Sequence, residues 1–272
     1  MAEFLFEGKK VYYETYGEGR PLLLLNGIMM SCASWKEFIE PLSAQNMLIL
    51  VDMLDQGKSE KMTEAYDHAV QLRLVDALLD ELKLEKCVIA GISYGSEVGL
   101  EYAIDHPDRV DRLLLFNATA ATGPWLDDIG KAWNLATGNA DSYYYTSIPV
   151  IYSPRFYTQH NDWMERRREI LRPVFSDEVF INAMIRLTNS SSNYDVRSRL
   201  DEVDCPTLIV SCQQDYLTPV EEQKYLADNI KDSHYVVIQN SGHASMYEQP
   251  MLFASLILGF ANANKAKYNI TT

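Results

Sequence analysis

Positive charge is scarce in this 272-residue chain: 24 Lys and Arg stand against 38 Asp and Glu, a formal net charge of −14. That excess of acid repels phosphate backbones and anionic headgroups, which argues against nucleic acid and membrane surfaces as partners. Long hydrophobic runs are missing as well. The longest apolar-rich stretch, Pro21 to Met30, has about half of the ~20 residues a membrane-spanning helix needs. The opening MAEFLFEGKKVYY scatters charges among its apolar residues, so no secretory h-region is read there. Cysteine is sparse, and Cys32, Cys87, Cys205 and Cys212 show neither CxxC nor Cys/His spacing. A disulfide frame and a zinc site are therefore not expected, and reduced thiols in a cytoplasmic protein are. No metal or organic cofactor is implied. The match of Asn269-Ile270-Thr271 to a glycosylation sequon carries no meaning without secretion.

What is present is the composition of a folded globular chain, 47% hydrophobic and 23% charged. Two β-rich runs, Phe4–Glu7 and Lys10–Thr15, precede a turn at Gly17-Glu18-Gly19. Continuous apolar runs then recur at Pro21–Leu25, Met47–Val51, Lys86–Ala90, Val110–Phe116, Pro206–Ser211 and Tyr235–Ile238. Runs of this length read as strands buried on both faces when helix-period segments separate them. The clearest such segment is Tyr66–Leu82, where Leu74, Val75, Leu78, Leu79 and Leu82 form one stripe. Further helices are expected to begin near Ser34, Ser96, Thr218 and Gln249. The alternation predicts an α/β fold with a mostly parallel central sheet and helices on both faces. From about Ala121 to Leu200 the rhythm breaks: no buried strand is read, aromatics are dense, and Asp162–Leu171 and Asp177–Leu187 read as helices. This predicts a core of residues 1–120 and 201–272 interrupted by a helical insertion over 121–200. The polar tail after Phe260 is expected to fray.

Gly91-Ile92-Ser93-Tyr94-Gly95 lies between a strand and a helix, which is the setting a GxSxG nucleophile turn requires. A serine hydroxyl is a weak nucleophile alone and needs a base and a group that orients the base. Of the five histidines, His68, His106, His160 and His234 are read as ordinary surface or capping residues. His243 differs, because Ser241-Gly242-His243-Ala244 follows the last strand at the carboxyl edge of the sheet, where sites form. Asp215 leaves the preceding strand on that same edge. Taken alone it reads as a turn residue capping the next helix; the order Ser…Asp…His favours it as the orienting acid. Asp201 and Asp204 precede that strand and belong at its far end.

These residues give the chain a resemblance to the α/β-hydrolase fold family, in particular its cap-bearing esterase, 3-oxoadipate enol-lactonase and cofactor-free haloperoxidase branch. The resemblance runs from Phe4 to Phe260. It includes Asn26-Gly27 after a strand, Trp35 in the next helix, and Asp52-Met53-Leu54-Asp55-Gln56-Gly57-Lys58-Ser59, an Asp-x-x-x-x-Gly-x-Ser pattern. It implies that Ile28 and Tyr94 supply oxyanion-hole N–H groups and that residues 121–200 form a cap. The aromatic density of that segment makes Trp133, Tyr144 and Trp163, with Met29 of the loop after Asn26-Gly27, the expected lining of the substrate pocket. The implied activity is hydrolysis of a carboxylic ester or lactone of a small, partly apolar molecule. C–C bond hydrolases, thioesterases and perhydrolases share the same three residues, and a slow ligand-binding signalling protein on this fold is the rival from another class. Oligomeric state is left open. The chain departs from most relatives in carrying Asn26 where they have His, Tyr94 at the turn, and Ser96-Glu97 at the start of the following helix. Glu97 is read as complementing that helix's positive end.

Overall fold

The computed structural model describes residues 2–263. Eight strands form one sheet: β1 (Ala2–Phe6), β2 (Lys9–Tyr16), β3 (Arg20–Leu25), β4 (Asn46–Val51), β5 (Cys87–Ile92), β6 (Val110–Phe116), β7 (Thr207–Cys212) and β8 (Ser233–Ile238). Their order is β1-β2-β4-β3-β5-β6-β7-β8. The β1–β2 and β2–β4 pairs are antiparallel and all later pairs parallel. Every residue of β5 and β7 is buried, as their unbroken apolar sequences require of strands covered on both faces, whereas β8 at the edge is mostly half-exposed.

The helices up to the middle of the chain are α1 (Ile39–Ser43), α2 (Ala69–Glu81) and α3 (Tyr94–Asp105). Then come α4 (Pro124–Ala136), α5 (Ala140–Ile151), α6 (Pro154–Gln159), α7 (Asn161–Phe175) and α8 (Glu178–Ser190). The last three are α9 (Val220–Asn229), α10 (Ser245–Glu248) and α11 (Pro250–Ala261). Helices cover both faces of the sheet, α1 packing with α11 and α2 with α3. The apolar stripe on α2 is buried as its period predicts, but the helix starts at Ala69 rather than Tyr66, where Asp67 Oδ1 accepts the Ala69 N–H at 2.9 Å. The expected fraying does not begin after Phe260: Ala261 still belongs to α11 and is buried, and residues 264–272, with the Asn269 sequon, lie outside the described residues.

Helices α4–α8 all fall between β6 and β7. The chain leaves and re-enters the sheet through one neck, where Ala121 bridges Asp195 and Val196 donates its N–H to the Ala120 carbonyl at 2.8 Å. Side-chain contacts tie these helices to the rest of the fold, among them Tyr94 OH with Ser190 Oγ at 2.9 Å and Ser153 with Glu248. Arg186 of α8 grips Asp55 with two hydrogen bonds of 2.9 and 2.6 Å, and Trp125 Nε1 donates to the Tyr216 carbonyl at 2.8 Å.

Candidate active site

The parallel strands β3, β5, β7 and β8 all send their carboxyl ends to one edge, and the loops that follow build the site there. After β5 the backbone turns directly into α3 through Ser93, which adopts φ 53° and ψ −122°, a costly conformation for a residue with a side chain. Its neighbours hold it there. Ser93 N donates to the Phe116 carbonyl at 2.9 Å, and Ser96 Oγ donates to the same carbonyl at 2.9 Å. A Cβ on Gly91 would meet the Gly95 carbonyl oxygen at 2.3 Å, and one on Gly95 would meet that of Leu25 at 2.3 Å. Only glycine fits either position, which is why the turn reads GxSxG. Tyr94 is the first residue of α3, so its N–H has no partner within the helix and faces the positive helix end.

The loop after β3 is fastened by side chains whose hydrogen bonds close on each other. Asn26 Nδ2 donates to the Val51 carbonyl at 2.8 Å and to Gln56 Oε1 at 3.1 Å, while Asn26 Oδ1 accepts from Trp35 Nε1 at 2.7 Å. Gln56 Nε2 in turn donates to the Gly27 carbonyl at 3.0 Å. Asn26 thus supplies both a donor and an acceptor inside the fold, and the loop carrying Ile28 keeps a fixed path although histidine is absent. Asp52 completes the support by accepting the N–H groups of Cys32 at 2.6 Å and Lys58 at 2.8 Å. Gly57 is required beside it, with φ +39° and Asp52 Oδ2 only 2.0 Å from where a Cβ would stand.

Asp215, buried at the end of the loop after β7, lies 2.7 Å through Oδ2 from His243 Nδ1. The other oxygen accepts the N–H groups of Leu217 and Thr218 at 2.9 and 3.0 Å, and Thr218 Oγ1 sits 2.9 Å from Oδ2. With four partners the carboxylate can neither turn nor leave. His243 is fixed from behind as well, its carbonyl accepting Asn117 Nδ2 at 2.6 Å. Asp201 and Asp204 precede β7 and are exposed.

One cavity of about 210 Å³ joins these loops. Ser93, Tyr94, Ile28, Met29 and His243 line its sheet side, and α4, α5, α7 and α8 supply the facing wall, including Trp133. The volume falls below the roughly 300 Å³ at which drug-sized sites begin, so a small ligand suits it. Tyr144 and Trp163, expected in the lining, are not part of it. Tyr144 is buried within the inserted helices against Tyr145 and Phe175, and Trp163 packs behind the wall, edge-on to Tyr152 and Phe156 and tilted against Tyr247. Aromatic density marks a hydrophobic region without saying which face meets the cavity.

Two further expectations change. His68 is not a surface residue: it is buried between the rings of Tyr94 and Tyr194, each centroid 5.3 Å away, with Nδ1 3.0 Å from Glu101 Oε2. Glu97 does sit in the first turn of α3, yet its side chain is buried and lines the cavity, where it accepts Thr119 Oγ1 at 3.0 Å. Burial pushes its carboxyl pKa up, against the pull of nearby His68. Arg167, also in the lining, was missed from sequence. Its signal was helical spacing, because Trp163, Arg167, Leu171 and Val174 share one face of α7. Among the described residues no group of three or more His, Cys, Asp or Glu is placed to hold a metal ion.

A family model described as the alpha/beta hydrolase fold matches residues 20–250. With the strand order and the β5–Ser93–α3 turn, this places the chain in the α/β-hydrolase fold family of enzymes. MGS-M2, an alpha/beta hydrolase enzyme from a Medee basin deep-sea metagenome library, is 45% identical and superposes with a TM-score of 0.97 over 99% of this chain and 100% of its own. The AB hydrolase superfamily protein YisY of Bacillus subtilis is 26% identical over 266 residues, 93% of this chain and 96% of its own. Est816, described as an N-acyl homoserine lactone degrading enzyme, is 25% identical with a TM-score of 0.82, over 95% of this chain and 100% of its own. No helix among the described residues is long and apolar enough to cross a membrane.

Proposed function

We propose that the chain is a serine hydrolase that cleaves a carboxylic ester or lactone of a small, partly apolar substrate through an acyl-enzyme on Ser93. The observation that carries this reading is that Ser93, on its strained turn, shares one cavity with His243, whose Nδ1 is held by a fully bonded Asp215. His243 Nε2 takes the Ser93 proton as Oγ attacks the carbonyl carbon. Asp215 keeps Nδ1 protonated and stabilises the imidazolium that forms. The N–H groups of Ile28 and Tyr94 hold the oxyanion, each worth about 3 kcal/mol in comparable sites. His243 then protonates the departing alkoxide, which stays tethered to the acyl group when the substrate is a lactone. Water, activated by the same imidazole, releases the acid. Residues 121–200 act as a cap whose Trp133 and neighbours select among substrates.

The small cavity and its mixed lining support a compact ester, and the lactone-degrading relative supports including lactones in the trial. The test is turnover of short aryl esters and γ-lactones by the parent and by Ser93→Ala. Loss of the nucleophile is expected to lower kcat by about 10⁶. Near-native turnover in a folded Ser93→Ala would overturn the reading.

A further inference from the structure

The facing wall of the cavity carries a cation with which no carboxylate among the described residues forms an ion pair. Arg167 lines the cavity from α7, and its guanidinium carbon lies 4.7 Å from the ring centroid of Tyr247, 5.2 Å from that of Trp163 and 6.0 Å from that of Tyr152. Rings attract the charge but cannot accept the in-plane N–H bonds of a guanidinium in the way a carboxylate does. Its Nε is buried and has no hydrogen-bond partner among the described residues. Two other arginines of the same helix are paired, Arg168 with Glu165 and Arg172 with Asp141 at 2.8 Å, while Arg166 is exposed to solvent.

The rest of the cavity leaves that charge uncancelled. Asp127 is tied to Lys131 at 2.6 Å, and the Glu97 carboxyl, raised in pKa by burial, keeps its bond from Thr119. Two more buried atoms on the same wall have no partner among the described residues, Trp133 Nε1 and Thr188 Oγ1. Buried polar atoms are nearly always paired, so three unpaired ones on a single cavity point to a ligand rich in acceptors.

We infer that the substrate carries a carboxylate remote from the scissile carbonyl and that Arg167 holds it, with Trp133 Nε1 and Thr188 Oγ1 available to further oxygens. This rests on the reading of Ser93 as nucleophile and narrows the substrate class to half-esters or lactone acids. Arg167 is the residue of choice for such a role because its rigid fork matches a carboxylate with two parallel bonds.

The experiment pairs the mono-4-nitrophenyl esters of glutaric, adipic and pimelic acids with the 4-nitrophenyl alkanoates of equal length. The parent is expected to favour the carboxylate-bearing ester in kcat/KM at its best chain length. Arg167→Met should lower that value at least tenfold while leaving the neutral ester within threefold. A parent that prefers the neutral ester at every length, or an Arg167→Met that lowers both alike or neither, overturns the inference. Should Arg167→Met lose its cooperative melt, Arg167→Lys decides: a reduced but surviving preference supports the inference, and an unchanged one contradicts it. Calorimetric titration of Ser93→Ala with glutarate reads the subsite without chemistry. Binding that disappears on adding Arg167→Met or, if that variant melts, weakens on adding Arg167→Lys supports it, and absence of heat contradicts it. Neutral esters hydrolysed equally by Ser93→Ala would instead condemn the nucleophile, which separates the two failures.

Discussion

On the sheet side of the cavity Ser93 and Asp215 are held by backbone geometry and by hydrogen bonds to both carboxylate oxygens, with Asn117 Oδ1 left unpaired nearby, whereas three buried polar atoms on the facing helices have no hydrogen-bond partner among the described residues. Ser93 is locked by Gly91, Gly95 and the Phe116 carbonyl, and Asp215 by four partners. Across the cavity, Arg167 Nε, Trp133 Nε1 and Thr188 Oγ1 wait unpaired. The same helices expose Trp125, Leu135, Tyr145, Ile170, Val174 and Val179, more large apolar side chains than the other described regions expose between them. Chemistry needs atoms fixed to a fraction of an ångström, and selection needs a surface that a ligand completes. The contrast teaches that changes to the sheet side should cost rate for all substrates, and changes to the helices should reorder them.

The sharpest break would come from Asp215→Asn. An amide cannot stabilise the His243 imidazolium and favours the wrong tautomer, so kcat is expected to fall by about 10⁴ for every ester tested. Exposed Asp204→Asn should leave kcat unchanged in the same assay, and the reverse pattern would move the acid to the other end of β7. Next in size is Asn26→Ala, which strands Trp35 Nε1 and the Val51 carbonyl inside the fold. Leaving a buried group unpaired costs about 1–3 kcal/mol, to be read as a lower urea midpoint, and kcat should drop as the Ile28 loop loosens. Trp133→Phe on the opposite wall is expected to alter KM ratios across esters and lactones while kcat on acetate esters stays within a few-fold. A uniform loss of kcat instead would place Trp133 with the chemistry.

The smallest effect concerns Glu97. Because burial raises its pKa above the 4.5 of an exposed glutamate, the folded state holds its proton more tightly than the unfolded chain. Stability from this group is therefore full below the unfolded value and is lost as pH rises through the folded one. Glu97→Gln never ionises, so its melting temperature relative to the parent should climb between pH 4.5 and pH 8. A flat or falling difference would show that His68 and Glu101 set the local charge instead.

Much of the sheet side was legible in the residues because its physics is local. Five of the six continuous apolar runs announced strands covered on both faces, the sixth, Tyr235–Ile238, proving to be the half-exposed edge strand, and the glycines at 91 and 95 announced a turn that nothing larger could make. Chain order after Ser93 pointed to Asp215 and His243, which the fold brings within 2.7 Å of each other. The facing helices were read less well because their roles depend on which side of a helix meets which neighbour. Tyr144 and Trp163 looked like pocket residues by type and turned out to pack behind the wall. Arg167 went unnoticed because one arginine within a run such as Arg166-Arg167-Arg168 in a charged helix is ordinarily a solvated one. His68 was misjudged for a related reason, its burial arising from Tyr94 and Tyr194, which are distant in sequence from it and from each other.

The most direct trial of the central claim is to label the purified protein with a fluorophosphonate and map the adduct by mass spectrometry. One stoichiometric adduct on Ser93 is expected, absent in Ser93→Ala and formed far more slowly in Asp215→Asn. An adduct on another serine, or none from a preparation that still hydrolyses esters, would contradict it.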